Sequence, residues 1–129
     1  MARQTERRRA EQQGRWAEYL AEALLRLKGY SILARRAKTS VGELDIIARK
    51  GRMIVIVEVK LRADMETGLH AVPEASWRRI ARGADAWLAQ FAPAHYDADR
   101  RFDLILVTRN LRLCHLKDTW RPDFALTRD

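Results

Sequence analysis

Residues 54–57 read Ile-Val-Ile-Val, and the apolar run continues through Val59 and Leu61 with only Glu58 and Lys60 interrupting it. Successive β-branched side chains project to both faces of a strand, so both faces need apolar cover. Such a segment belongs in the centre of a sheet with further layers on either side.

The charges inside the run are the next constraint. Burying an unpaired carboxylate is costly unless it takes up a proton or meets a cation. Residues 43–49, Glu-Leu-Asp-Ile-Ile-Ala-Arg, read as the neighbouring strand, and Lys50-Gly51 supplies a two-residue turn. With that turn Arg49 faces Arg52, Asp45 faces Ile56 and Glu43 faces Glu58. Side chains alternate, so Glu43, Asp45, Glu58 and Lys60 share one face, and Leu44, Ile46, Val55, Val57 and Val59 fill the other. Cβ atoms directly opposite each other are about 5 Å apart and diagonal ones about 7–8 Å, which lets Asp45 and Glu58 converge on one cation. Hard oxygen donors of this kind suit Mg²⁺ or Mn²⁺ rather than zinc. The competing account is a ladder of cross-strand ion pairs on a solvated face, which the β-branched run disfavours.

Around this hairpin the pattern is simple. Residues 5–28 have helical periodicity, with Trp16, Leu20, Leu24 and Leu27 as the apolar stripe and Gly29 as the stop. Residues 30–39 read as a first strand. A polar loop through Asp64, Glu66 and Gly68 follows the hairpin. A second helix begins near Pro73 and turns Trp77, Ile80, Ala81, Ala84, Trp87, Leu88 and Phe91 toward the sheet, with Gly83 as a weak point. After a loop, residues 101–108 and 111–116 form two more strands around an Arg109-Asn110 turn. Glu11 and Glu22 read as surface glutamates. Glu18, beside Ala21 and Leu25, sits at the margin of the helix's apolar face and on its own reads the same way.

Composition narrows the partner. The chain has 129 residues, enough for one domain spanning 1–129, whose first 14 residues form a basic segment with freedom to move. Its 25 Lys+Arg against 17 Asp+Glu give a formal charge of +8, which suits a polyanion such as nucleic acid. The Arg7, Arg8 and Arg9 run, Arg62, and Arg78, Arg79 and Arg82 on the polar side of the second helix are candidate phosphate contacts. Cys114 is the only cysteine, the N-terminus lacks an apolar signal segment and no run is long enough to span a bilayer, so a cytoplasmic location is expected. His70, His95 and His115 have no ligand spacing to one another or to Cys114, which argues against zinc. Trp16, Trp77, Trp87 and Trp120 are expected to pack.

Asp45 followed by Glu58-Val59-Lys60 resembles the PD-(D/E)xK signature of restriction-endonuclease-like nucleases. The longer pattern is more specific. Gly42-Glu43-Leu44-Asp45-Ile46-Ile47-Ala48 and Val57-Glu58-Val59-Lys60-Leu61-Arg62, with Glu18, Ala21, Leu25, Gly29 and Tyr30 before them and Arg101-Phe102-Asp103 after, resemble the bacterial YraN family, also called UPF0102. Its fold is similar to that of Holliday junction resolvases. The resemblance implies a three-layer α/β fold with a mixed central sheet of about five strands flanked by helices. It also implies a Mg²⁺- or Mn²⁺-dependent endonuclease acting on DNA, on branched or repair intermediates. Asp45, Glu58 and the Val59 carbonyl would hold the metal, with Glu18 as a further ligand, direct or through water. Lys60 would serve as base or electrostatic stabiliser, and Glu43 would stand behind the ligands or pair with Lys60. A homodimer and a helicase or recombination partner are further implications. Ser76 stands where the family usually has Lys, which opens the alternative of a non-catalytic nucleic-acid-binding subunit on a nuclease scaffold.

Overall fold

The computed structural model describes residues 2–68 and 71–122, the side chains of 2, 7–13 and 67 excepted. The elements are α1 (Ala2–Leu27), β1 (Ser31–Thr39), β2 (Gly42–Lys50), β3 (Met53–Arg62), α2 (Met65–Gly68), α3 (Glu74–Phe91), a 3₁₀ turn (Pro93–His95), β4 (Arg100–Thr108) and β5 (Leu113–Trp120). The sheet has the order β1-β2-β3-β4-β5. Among the described residues only β3 and β4 run parallel, joined by the crossover through α3. This is the mixed five-stranded sheet between helical layers that a restriction-endonuclease-like fold requires.

The β-branched run is where its chemistry demands. Ile54, Val55, Ile56 and Val57 of β3 are fully buried, and their side chains feed two different cores. Ile54 and Ile56 pack with Trp77, Ile80, Ala84 and Leu88 of α3. Val55, Val57 and Val59 pack with Ala17, Ala21 and Leu25 of α1. At about 1.5–3 kcal/mol for each large apolar side chain removed from water, these faces are the main stabilisation of the fold.

The α1 stripe differs from the expected one by a single residue. Trp16 is 54 % and Leu27 86 % exposed, whereas Ala17, Ala21 and Leu25 meet the sheet. One residue is a rotation of about 100°. Small side chains let the helix axis approach a sheet face already filled by Ile46, Val55 and Val57, and the larger residues are turned outward. Glu22 is correspondingly buried rather than on the surface, and it bonds Arg26 at 2.9 Å and Arg35 at 3.3 Å. In α3 the expected face is present except for Phe91, which is exposed and lies against the Trp87 ring with the two planes tilted by 38°. Gly83 is there for fit. A Cβ at this position would come within 3.1 Å of Thr39 Oγ1 and 3.3 Å of Leu44 Cδ2, so the glycine brings α3 down onto the β1–β2 hairpin.

Three boundaries also differ. Met65–Gly68 is a short helix within the expected loop, and β5 starts and ends later than residues 111–116. The hairpin turn is Gly51-Arg52, with Lys50 opposite Met53. Gly51 has φ 59, a conformation glycine adopts without strain, and this places it as the first central residue of the turn. The register therefore slips by two from the expected one. An even slip keeps every side chain on its face.

Candidate metal centre

The ladder between β2 and β3 has its last pair at Ile46 and Val57, one residue before Asp45 and Glu58. Asp45 thus lies beside Glu58, not opposite Ile56. In place of the next ladder bond, the Val59 N–H donates to Asp45 Oδ2 at 2.8 Å. The strands part at this point with a carboxylate between them.

Alternation in β2 breaks at the same place. Leu44 packs on the α3 side of the sheet and Ile46 on the α1 side, although residues two apart would ordinarily share a face. The expectation that Leu44 and Ile46 lie together is corrected accordingly. The partner strand carries the cause: Arg36 of β1 has φ 49, and Arg35 and Arg36 both reach toward α1 while Ala37 packs toward α3. This local irregularity brings Asp45 to a cavity of about 460 Å³ that it lines with Glu18, Tyr19 and Arg15 of α1 and with Arg35 and Arg36.

The carboxyls differ in environment. Glu58 is 7 % exposed, and burial, followed by the nearby Asp45 charge, pushes it up to about 8. Asp45 is also raised, by burial, against the lowering influence of the Val59 N–H, Glu58 and Lys60. Two adjacent buried carboxyls resist ionising together, and they retain a proton near neutrality. Glu58 Oε1 is buried and has no hydrogen-bond partner among the described residues. An unsatisfied buried oxygen beside a second carboxylate, in an oxygen-only donor set, fits a hard divalent cation.

Glu18 of α1 faces this cavity. Burial raises its carboxyl, and the charges of Asp45 and Glu43 add to that, while Arg36 opposes it through a 2.8 Å bond. With Glu18 held by Arg36, no three His, Cys, Asp or Glu side chains close around one point among the described residues. Lys60 is half-buried and acts on both carboxyls through its charge. Glu43 is exposed and is paired in register with Lys38 of β1.

The candidate phosphate contacts divide. Arg78, Arg79 and Arg82 are exposed on α3, where Arg78 bonds Glu74 and Arg79 lies over Gly42. Arg62 is half-buried and bonds its neighbour's carbonyl. The side chains of Arg7, Arg8 and Arg9, and all of His70, lie outside the described residues. Ser76 sits in the first turn of α3.

The profile of Uncharacterised protein family UPF0102 matches residues 17–107. The chain belongs to the UPF0102 family. A UPF0102 protein of Parvibaculum lavamentivorans is 43 % identical over 106 residues, covering 82 % of this chain and 79 % of its own. One of Maricaulis maris is 41 % identical over 116 residues, covering 90 % and 91 %. One of Rhizobium etli is 41 % identical over 114 residues, covering 88 % and 93 %. The UPF0102 match spans Glu18, Arg36, Asp45, Glu58, Lys60 and Asp103.

Two residues of structural weight lie outside the sequence-derived site. Arg36 is one, through its backbone and its bond to Glu18. Asp103 is the other: it is fully buried and accepts from Arg101 Nε at 2.8 Å and Nη2 at 2.7 Å, from His115 Nε2 at 2.7 Å and from the Asp118 N–H at 3.0 Å. His115 Nδ1 meets Lys28 Nζ at 2.9 Å, so Nδ1 accepts and Nε2 carries the proton. Arg101 also donates to the Tyr30 hydroxyl at 2.6 Å. This network ties β4 and β5 to the end of α1. Its one sequence signal was the Arg101-Phe102-Asp103 segment.

Proposed function

We propose that this UPF0102 chain hydrolyses phosphodiester bonds in nucleic acid with the help of a divalent cation. The carrying observation is the buried, unpartnered Oε1 of Glu58 beside Asp45, where β2 and β3 part. Asp45, Glu58 and the Val59 carbonyl are the groups that would hold Mg²⁺ or Mn²⁺, and such an ion supplies Lewis-acid polarisation of the phosphoryl group and a more acidic bound water. The remaining work belongs to the chain. The Val59 N–H fixes the Asp45 carboxylate. Glu58 gives up its proton before its oxygens serve as ligands. Lys60, beside both carboxyls, orients water and offsets negative charge developing on the phosphoryl oxygens. Arginines on α3 and around the cavity hold the anionic backbone without reading its sequence.

A second reading follows from Glu18 being held by Arg36: a nucleic-acid-binding chain on a nuclease scaffold without turnover. One experiment separates the two. The purified chain is incubated with single-stranded, duplex, flap, fork and four-way junction DNA in Mg²⁺, Mn²⁺ or EDTA, beside Asp45→Asn and Lys60→Ala. Metal-dependent cutting lost in both variants supports hydrolysis. Binding with no cutting on any substrate favours the second reading, and equal cutting by Asp45→Asn removes the site from the chemistry.

A further inference from the structure

α1 leaves two large aromatic rings in solvent next to the cavity that Asp45 lines. Trp16 is 54 % and Tyr19 60 % exposed. They are three residues apart and neighbours on the helix surface, and Tyr19 lines the same cavity as Asp45. The Arg35 guanidinium lies 5.7 Å from the centre of the Tyr19 ring, and Arg15 and Arg36 complete a basic margin. The rings contribute little to the core, which takes Ala17 and Ala21 from the same turns.

We propose that Trp16 and Tyr19 form a stacking platform for the unpaired bases of a single-stranded nucleic acid, with Arg15 and Arg35 holding its phosphates. The proposal deepens the phosphodiester reading of the acidic site by naming the form in which substrate reaches it. The chemistry selects this occupant over others. Bases in an intact duplex are already stacked and present no free ring face, whereas unpaired bases stack on aromatic side chains and guanidinium planes irrespective of sequence. An apolar partner surface would need a continuous patch. The next exposed large apolar residue on α1, Leu27, lies about 16 Å along the axis from Trp16, and guanidinium groups crowd the space around Tyr19.

The test reads binding in EDTA, where metal-dependent cutting is suppressed. Fluorescence anisotropy of the full chain is measured with a labelled oligothymidylate of about 20 nucleotides and with a blunt duplex of equal length. Tyr19→Ala and Trp16→Ala are expected to weaken single-strand binding by about tenfold each and duplex binding by less than about twofold, while Tyr19→Phe binds as the parent does. Circular dichroism melts confirm that each variant folds. Equal weakening on both probes, no weakening on either, or a parent chain that does not bind single strands overturns the proposal. Cleavage is not the readout. A parent chain that shows the predicted binding and never cuts retains the platform and loses the hydrolytic reading, and one that cuts with binding unaffected by Tyr19→Ala does the reverse.

Discussion

The Val59 N–H donates to Asp45 Oδ2, so a side chain occupies the place of a main-chain ladder bond between the two central strands. Asp45 is therefore both a candidate ligand and a piece of the sheet. Asp45→Ala is expected to leave the half-buried N–H unsatisfied and to lower stability by about 1–3 kcal/mol. Asp45→Asn keeps an acceptor and is expected to remain within about 1 kcal/mol of the parent while losing cation binding. Urea unfolding with and without Mn²⁺ measures both. Equal destabilisation by the two substitutions would refute the dual role.

The raised Glu58 carboxyl has a pH signature. An unfolded glutamate ionises near 4.5 and the folded one near 8, so the folded chain holds the proton more tightly. The associated stability is fully present below pH 4.5 and is lost as pH rises toward 8, at up to about 1.4 kcal/mol per pH unit. In EDTA the melting temperature is expected to fall across this window, and Glu58→Gln is expected to flatten the fall. Mn²⁺ acts in the opposite sense, because ionised ligands bind it better, and the melting-temperature gain on adding metal grows with pH. A Glu58→Gln profile parallel to that of the parent would count against the assignment.

Asp103 behaves in the opposite way. Burial alone would raise it, but hydrogen bonds from His115, Arg101 and the Asp118 N–H hold it down to about 2. Its stabilisation is present above the unfolded value of 3.8 and disappears as pH falls through about 2. Asp103→Ala strands the mostly buried Arg101 guanidinium and is expected to cost roughly 3–5 kcal/mol in denaturant unfolding. A loss below about 1 kcal/mol would show that the network contributes little to the fold.

The rotated stripe of α1 gives a paired test. Leu25, fully buried, is expected to lose about 2–5 kcal/mol on change to Ala, whereas Trp16→Ala is expected to stay within about 0.5 kcal/mol of the parent. Thermal melts of the two variants distinguish this packing from one with Trp16 in the core.

What the sequence revealed and what it hid follow from the range of the interactions. Period-two alternation and the β-branched run are local, and they were sufficient to place β2 and β3 and to bring Asp45 near Glu58 despite a register off by two. The phase of α1 was not legible, because hydrophobicity alone favours Trp16 and Leu27 over Ala17 and Ala21, and only the occupied sheet face selects the small residues. The β5 boundaries escaped for a related reason: an edge strand with exposed Lys117 and Thr119 carries a weak pattern. Arg36 draws Glu18 only because β1 turns to φ 49 there, a backbone event with no signature in an arginine. Asp103 and His115 belong to different strands, and no spacing rule links them.

The parallel pairing of β3 with β4 sets an order in time. The β2–β3 hairpin needs only a tight turn to close, but Ile54 meets Arg100 and Arg62 meets Thr108 only after the whole crossover through α3 has been drawn in. Until then Glu58 lacks the cover of that layer, and its carboxyl is expected to ionise more readily than in the folded chain. The late docking step is the one that takes up a proton, so refolding monitored by stopped flow between pH 5 and 8 should slow as the solution becomes more alkaline, while hairpin closure keeps its pace.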